Sequence, residues 1–303
     1  MVLKKVIISV VVAIIAFLVI LNMTIYFTQD SFIYARGKAD PQDIKPLAPN
    51  YEEIMMPTKD NQKLRCWFVK TDNYQNKPVI LHFLGNGGYL EKSAKVYDMM
   101  VERVDVSVFS CSNRGTGDND LYASEALYYQ DAQTYLDYLR SRNMKYIFVF
   151  GTSMGGAVAI ETVKNNYEHV SGLIVQNSFL SMKKMAKLAQ PFLFFFLFSY
   201  DLMIRTKMNN EEKIKENRVP ALFNISEKDK IVPPSHGMRL YELCPSQKFI
   251  YTAKDGEHAD IFVNDDGSYH RSIKIFIETK SNNDINIEER HFKTLLLFII
   301  QVL

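Results

Sequence analysis

The stretch that most constrains this chain is residues 151–155, G-T-S-M-G. It fits the G-x-S-x-G pattern of a sharp turn that lifts a serine hydroxyl above the edge of a β-sheet. Residues 146–150 form a β-branched and aromatic run typical of a strand, and residues 156–161 are typical of a helix. Glycines suit this turn because strand and helix approach closely only where the neighbours of a strained serine lack side chains. The pattern therefore predicts a strand, a tight turn and a helix, with Ser153 as the candidate nucleophile.

Strand patterns recur on both sides of this turn. Two runs, 51–57 and 64–70, predict an antiparallel hairpin. The later runs are short and mostly apolar, as in strands buried on both faces of a parallel sheet. Helical patterns lie between several of them, which predicts an α/β domain with a doubly wound, mostly parallel sheet. The apolar runs are residues 79–84, 106–110, 173–176, 221–225 and 248–251, and the helical patterns are residues 89–103 and 124–140.

The N-terminal region predicts a membrane anchor. Residues 6–27 carry no charge and follow Lys4 and Lys5. As a helix this run is about 33 Å long, enough to cross a bilayer core. The alternative, a cleaved signal peptide, fits less well because the run exceeds a usual signal core and no convincing cleavage pair follows it. The two lysines favour a cytoplasmic N-terminus and a lumenal or extracellular domain.

The predicted organisation has five parts. Residues 1–5 are a short cytoplasmic N-terminus, residues 6–27 the transmembrane signal anchor and residues 28–50 a linker with three prolines. Residues 51–280 are the α/β domain, and residues 281–303 are a tail of unknown role. Within the domain, the phenylalanine-rich run 191–198 either packs on the core or covers a pocket, and residues 295–303 are either a packed helix or a membrane-surface segment.

Composition excludes several classes of function. A net charge of +2 without blocks of like charge gives no reason to expect a nucleic-acid partner. The three cysteines form no C-x-x-C pair, so neither a zinc site nor a disulfide framework is expected. Cys66 and Cys111 lie in apolar runs and are expected to be buried, reduced thiols. We expect no metal and no cofactor.

A serine hydroxyl needs a base to take its proton and an acid to orient that base. Asp229 follows the apolar run 221–225, and His258 follows the run 248–251, so both are expected at the carboxyl edge of the sheet. The other five histidines lie inside a predicted strand or have no strand directly before them. Glu227 and Asp255 remain alternative acids. The H-x-D pattern of His258 and Asp260 is a weak signal for a metal-binding pair, and no third ligand at suitable spacing supports a metal.

The oxyanion formed by serine attack needs main-chain donors, each lowering the barrier by about 3 kcal/mol. The amide of Met154 is one candidate. The second is expected in the loop after the strand at 79–84, where G-N-G-G offers amides, and we choose Asn86. The alternative for this loop is a simple glycine turn, and its spacing does not fit the G-x-G-x-x-G of a dinucleotide site.

Four runs together carry a family resemblance: F-L-G-N-G-G at 83–88, N-R-G-T-G at 113–117, G-T-S-M-G-G at 151–156 and K-D-K-I-V-P-P-S-H at 228–236. With the N-terminal anchor, they make the chain similar to the membrane-anchored α/β-hydrolase domain-containing proteins of the type-13 group and, more distantly, the type-17 depalmitoylases. The resemblance covers nearly the whole chain. Leu84 stands where the family usually has histidine.

The resemblance implies an α/β-hydrolase fold with a short helical cap. It also implies a serine hydrolase in which Ser153, Asp229 and His258 form the triad and Asn86 and Met154 are the oxyanion donors. The expected activity is hydrolysis of an acyl ester or thioester, with a small-molecule or lipid-like acyl substrate of palmitoyl type. The alternative is a catalytically silent domain that acts as a membrane-tethered binding or scaffold protein, because a fold does not guarantee an activity.

Overall fold

A sheet of eight strands organises the protein. The computed structural model describes residues 2–38, 50–192, 196, 200–262 and 266–281. The strands are β1 Gly37–Lys38, β2 Tyr51–Pro57, β3 Lys63–Val69, β4 Val79–Phe83, β5 Ser107–Cys111, β6 Thr116–Gly117, β7 Ile147–Thr152, β8 Gly172–Gln176, β9 Ala221–Ser226 and β10 Lys248–Ala253. The α-helices are α1 Val2–Ile33, α2 Ala94–Met99, α3 Glu125–Ser141, α4 Met154–Asn166, α5 Met182–Ala189, α6 Tyr200–Met203, α7 Asn210–Lys213, α8 Pro234–Leu243 and α9 Ser268–Ser281.

The strand order in the sheet is β10-β9-β8-β7-β4-β5-β3-β2. Neighbours from β10 to β5 run parallel, whereas β3 pairs antiparallel with both β5 and β2. The predicted α/β fold with a mostly parallel sheet and an N-terminal hairpin is therefore confirmed. In a parallel sheet all carboxyl ends meet at one edge, which here brings the ends of β4, β7, β8, β9 and β10 together.

Apolar layers cover both faces of the sheet, and the central strands contribute side chains to each layer. Along β7, Val149 belongs to the cluster formed with α3 and α4, whereas Phe148 and Phe150 belong to the cluster formed with α2 and α9. The ring of Phe148 packs edge-on against that of Phe276 in α9, with 5.8 Å between the ring centres. Because alternate residues face opposite layers, the strand is apolar throughout, which is the pattern that its sequence shows.

The helical connections follow their sequence signals to different degrees. Ser124 caps α3 as predicted, since its hydroxyl accepts a hydrogen bond from the Leu127 amide at 3.3 Å. The predicted helix at 89–103 is instead three short pieces: a 3₁₀ turn at Leu90–Ser93, then α2, then a π-helical turn at Met100–Val104. The stretch between β8 and β9, which holds α5, α6 and α7, forms the cap.

The N-terminal helix is longer than the predicted anchor. Helix α1 is long and apolar enough to cross a membrane, and it continues through Ile33 rather than ending at residue 27. Part of the predicted linker is also ordered, because β1 pairs in parallel with β6. Residues 39–49 and the tail from residue 282, including 295–303, lie outside the described residues, as do residues 193–195 and 197–199 of the phenylalanine-rich run.

The expectation that Cys66 and Cys111 are reduced thiols is wrong. Both are buried in apolar strands as predicted, but they form a disulfide. The antiparallel register between β3 and β5 places the two residues directly opposite each other. Directly opposed residues in such a pair have their Cβ atoms close enough to be bridged. Cys244 is a free, buried thiol.

Candidate active site

The turn at Ser153 joins the end of β7 to the start of α4. Ser153 has a φ of 54° and a ψ of −116°, a conformation that costs a non-glycine residue about 1–3 kcal/mol. The flanking glycines make the turn possible. A Cβ on Gly151 would lie 2.2 Å from the Gly155 carbonyl oxygen, and a Cβ on Gly155 would lie 2.0 Å from the Phe83 carbonyl oxygen. The close approach of α4 to β4 and β7 therefore requires glycine at both positions.

Three predicted site residues form a hydrogen-bonded chain with His258 in the middle. The Ser153 Oγ is 3.0 Å from His258 Nε2, and His258 Nδ1 is 2.6 Å from Asp229 Oδ2. They come from the ends of β7, β9 and β10, and Ser153 and His258 are 105 positions apart in the chain. The carboxyl edge of the parallel sheet brings them together. A hydroxyl, an imidazole and a carboxylate in this order can activate an oxygen nucleophile.

The carboxylate of Asp229 is held from its other side. Its Oδ1 accepts hydrogen bonds from the amides of Ile231 and Val232, both at 2.8 Å. The side chain is buried, with 2% exposure. This loop geometry leaves Oδ2 directed at the imidazole of His258, so that Nδ1 is the nitrogen that carries the proton and Nε2 can accept one.

The alternative acids do not contact His258. Glu227 is exposed, and Asp255 forms an exposed ion pair with Lys228 at 2.6 Å, which lowers the pKa of the Asp255 carboxyl. Asp260 Oδ1 accepts a hydrogen bond from the Glu257 amide at 2.6 Å, a local loop contact. Among the described residues there is no cluster of three metal-binding side chains.

The predicted oxyanion loop lies beside the serine. A Cβ on Gly85 would be 3.5 Å from the Ser153 Cβ. Met154 is the first residue of α4, where amides have no partner within the helix and the helix dipole favours negative charge. The side chain of Asn86 is engaged elsewhere: Nδ2 donates to the Ile33 carbonyl at 2.7 Å, and Oδ1 accepts from the Ala35 amide at 2.9 Å. The predicted role of Asn86 concerns its main-chain amide.

Leu84, where the resemblance implies a histidine, is buried in the apolar cluster that includes Leu90 and Phe150. The residue that precedes the glycine-rich loop at 85–88 is therefore held in the apolar core.

Asn177 is a site residue that the sequence analysis missed. Its Nδ2 donates to the main-chain carbonyl of His258 at 3.0 Å and to Ser226 Oγ at 2.9 Å, while its Oδ1 accepts from the Ser226 amide at 2.9 Å. It thus joins the end of β8 to β9 and to the histidine loop. A signal was available, because Asn177 directly follows the predicted strand at 173–176, at the same edge of the sheet.

The N-R-G-T-G loop after β5 has a structural role. Arg114 is buried, and its guanidinium binds Asp131 through Nε at 2.6 Å and Asp60 through Nη1 at 2.8 Å. The hydrogen bond from Arg114 holds the pKa of the Asp60 carboxyl well below its usual range. This pair of contacts joins the hairpin turn, the loop and α3.

Two further histidines have packing roles. His82 lies between Tyr97 Oη at 3.1 Å and Thr152 Oγ1 at 3.2 Å, and burial lowers the pKa of His82 to about 3. Its ring is therefore neutral at physiological pH. His236 Nδ1 accepts a hydrogen bond from the Leu180 amide at 3.4 Å, and burial also lowers the pKa of His236.

Comparison with known proteins gives consistent matches. A family model described as serine aminopeptidase, S33, matches residues 74–210. The alpha/beta hydrolase domain-containing protein WAV2 of Arabidopsis thaliana is 30% identical over 269 residues, covering 82% of this chain and 87% of that protein. The uncharacterized membrane protein YNL320W of Saccharomyces cerevisiae is 29% identical over 269 residues, covering 85% and 91%. The Pyrococcus furiosus esterase Pf2001 shares the fold, with a TM-score of 0.63 and 18% identity over 82% of this chain and 98% of that one.

Proposed function

Since the chain belongs to the α/β-hydrolase domain-containing family that includes WAV2, we propose that it is a membrane-anchored serine hydrolase that cleaves an acyl ester or thioester. The observation that supports this most strongly is the pair of hydrogen bonds linking Ser153, His258 and Asp229, at 3.0 and 2.6 Å. The strained backbone of Ser153 adds support, because such strain is retained mainly where function requires it.

In the proposed reaction, Ser153 Oγ attacks the acyl carbonyl while His258 Nε2 takes its proton. The amides of Met154 and Asn86 stabilise the oxyanion, and Asp229 stabilises the charged imidazole. The carbonyl re-forms as the bond to the alcohol or thiol breaks, and His258 protonates that leaving group. Water, deprotonated by His258, then attacks the acyl-enzyme. The acid is released and Ser153 regains its proton.

The proposed substrate carries a lipid-like or protein-linked acyl chain of palmitoyl type. Two features support this class. The described phenylalanines of the cap run, Phe192 and Phe196, expose apolar surface, and α1 is suited to hold the domain at a membrane. An apolar pocket or surface favours long acyl chains because each buried methylene contributes about 0.8 kcal/mol.

A series of p-nitrophenyl esters tests this proposal. We expect kcat/KM to rise at least about tenfold between the acetate and the octanoate, since burying only two additional methylenes already contributes that much. The measurement is initial release of p-nitrophenol by the full-length protein in detergent. Thioesters of equal chain length distinguish the two leaving groups. Absence of turnover with every ester and thioester would count against a hydrolase and in favour of a scaffold.

We also propose that the N-terminus is cytoplasmic and that the hydrolase domain is lumenal or extracellular. Lys4 and Lys5 precede the span, which is the usual arrangement for a cytoplasmic end. The Cys66–Cys111 disulfide supports the same orientation, because disulfides form and persist in oxidising compartments.

Thiol counting on native membranes checks this orientation. Free thiols are blocked with N-ethylmaleimide in denaturant, and the protein is then reduced and treated with a maleimide polymer. We expect two added polymers after reduction and none without it, because Cys244 is the single free thiol among the three cysteines. The Cys66→Ser variant, which cannot form the pair, should gain none. Blocking of all three thiols in the wild-type protein would contradict a lumenal domain.

A further inference from the structure

One face of α1 is attached to the cap by polar side chains. Asn22 and Gln29 are the buried residues of α1, and they are seven positions apart, which places them on the same face two turns apart. Asn22 Nδ2 donates to the Phe196 carbonyl at 2.9 Å, and Gln29 Nε2 donates to the Met203 carbonyl at 2.8 Å. The helix therefore supplies hydrogen-bond donors to main-chain oxygens of the cap at two levels.

Further contacts continue along the same face. Gln29 Oε1 accepts a hydrogen bond from the Arg205 amide at 2.7 Å, and the Arg205 guanidinium pairs with Asp30 at 2.5 Å. Ile25 packs against Ile204. Asn22 contacts Phe196, whereas the cap partners of residues 25–30 lie within residues 203–205. These contacts hold Phe196 beside Asn22 and residues 203–205 beside residues 25–30 of α1.

The contact at Asn22 places cap backbone within the apolar run. Asn22 precedes Asp30, the first charged residue after the run, by eight residues, or about 12 Å along a helix. It lies about 8 Å inside the end of the run at Phe27. A carbonyl at that depth in hydrocarbon costs several kcal/mol unless a donor reaches it. Asn22, a polar interruption of the run, supplies that donor to Phe196.

The cap also exposes large apolar side chains. Phe192 is 77% exposed and Leu202 is 70% exposed, and Leu188 and Phe196 are also exposed. We call these four residues the cap surface. All four belong to the cap between β8 and β9, and large exposed apolar surface marks interaction sites. In helix α5, which leads into this surface, Lys187 is exposed, as expected of a basic residue at the level of lipid headgroups.

We propose that the cap surface inserts into the bilayer that α1 spans. The inference rests on the proposed membrane anchor. The end of α1 is tied to the oxyanion loop through Asn86, so the same arrangement directs the Ser153 edge of the sheet toward the membrane. If the proposed hydrolase function also holds, an acyl chain reaches Ser153 from the lipid phase.

Tryptophan quenching by brominated lipids tests the insertion in the full-length protein reconstituted into phosphatidylcholine vesicles. Phe192→Trp and Phe196→Trp each add one indole to Trp67, which is fully buried in the sheet and supplies a constant background. At an insertion depth of about 5–10 Å, we expect bromines on the acyl chains to reduce the added emission by about twofold or more. Ser141→Trp, at the opposite edge of the sheet, should lose none.

Ile15→Trp, in the middle of α1, is the positive control and should be quenched strongly. If it is quenched while Phe192→Trp and Phe196→Trp behave like Ser141→Trp, the cap surface remains in water and the inference is wrong. If Ile15→Trp is also unquenched, the anchor proposal fails and the inference fails with it. Neither quenching result depends on turnover. Failure of the hydrolase proposal would be recognised separately, by the absence of ester cleavage. A thermal unfolding midpoint equal to that of the wild type shows that the domain is folded in each variant.

Discussion

The Ser153→Ala variant is expected to lose esterase activity, with kcat lowered by roughly 10⁴- to 10⁶-fold. The reason is that the hydroxyl 3.0 Å from His258 Nε2 forms the acyl-enzyme bond in the proposed reaction. No other group in the triad can replace it as nucleophile. The measurement is turnover of p-nitrophenyl butyrate together with labelling by a fluorophosphonate probe, which should mark the wild-type protein and not this variant.

Ser235→Ala is the matched control. Ser235 lies in the first turn of α8, within the run 228–236 that contributes to the family resemblance, but it has no role in the proposed triad. Its activity and labelling should equal those of the wild type. Equal labelling of wild type and Ser153→Ala would refute the assignment of the nucleophile. A wild-type protein that refuses the probe and cleaves no ester would instead favour the silent scaffold.

The Asp229→Asn variant is expected to lower kcat by about 10⁴-fold while the fold is kept. The amide oxygen can still accept hydrogen bonds from Ile231 and Val232, which now bind Oδ1. The amide nitrogen would then face His258 Nδ1 and donate to it. The imidazole would carry its proton on Nε2, the nitrogen facing Ser153, and could no longer accept the serine proton. Steady-state kinetics at neutral pH and a thermal unfolding curve check both parts.

Asp255→Asn separates the role of this carboxylate from a general effect of charge. Asp255 lies three residues before the histidine and pairs with Lys228 in solvent. Exposed pairs of this kind contribute little to stability because solvent screens them. We expect kcat within about twofold of the wild type, because at this distance from the reaction the lost pair is screened. A loss as large as that of Asp229→Asn would move the acid of the proposed triad to Asp255.

The elements that form the sheet were predictable because their signals are local. The alternation of short apolar runs with helical patterns requires strands buried on both faces, and β7 shows why, since its residues face two layers in turn. Order along the chain also placed Asp229 and His258 at one edge, because parallel strands bring their carboxyl ends together. The spacing could not give the distances between side chains, which depend on how the loops after β9 and β10 close.

Features that depend on long-range register were not predictable. The Cys66–Cys111 pair joins residues 45 positions apart, and only the antiparallel pairing of β3 with β5 sets them opposite each other. The hydrogen bond from Asn177 to the main-chain carbonyl of His258 joins residues 81 positions apart. The contacts of Asn22 and Gln29 with the cap span still more. A polar residue in an apolar run indicates that its side chain needs a hydrogen-bond partner, but the sequence does not identify which main-chain oxygen is that partner.

The hydrogen bonds of Asn86 connect the end of α1 to the loop that supplies a proposed oxyanion donor. A soluble version cut just before the hairpin would remove the Ile33 carbonyl and the Ala35 amide, and water would take their places on the asparagine side chain. The main-chain amide of Asn86, a proposed oxyanion donor, would then no longer be held in place by those two hydrogen bonds. If the proposed mechanism and anchor hold, truncation before the hairpin would therefore change catalysis as well as solubility, and kinetics from such a fragment would differ from those of the full-length protein.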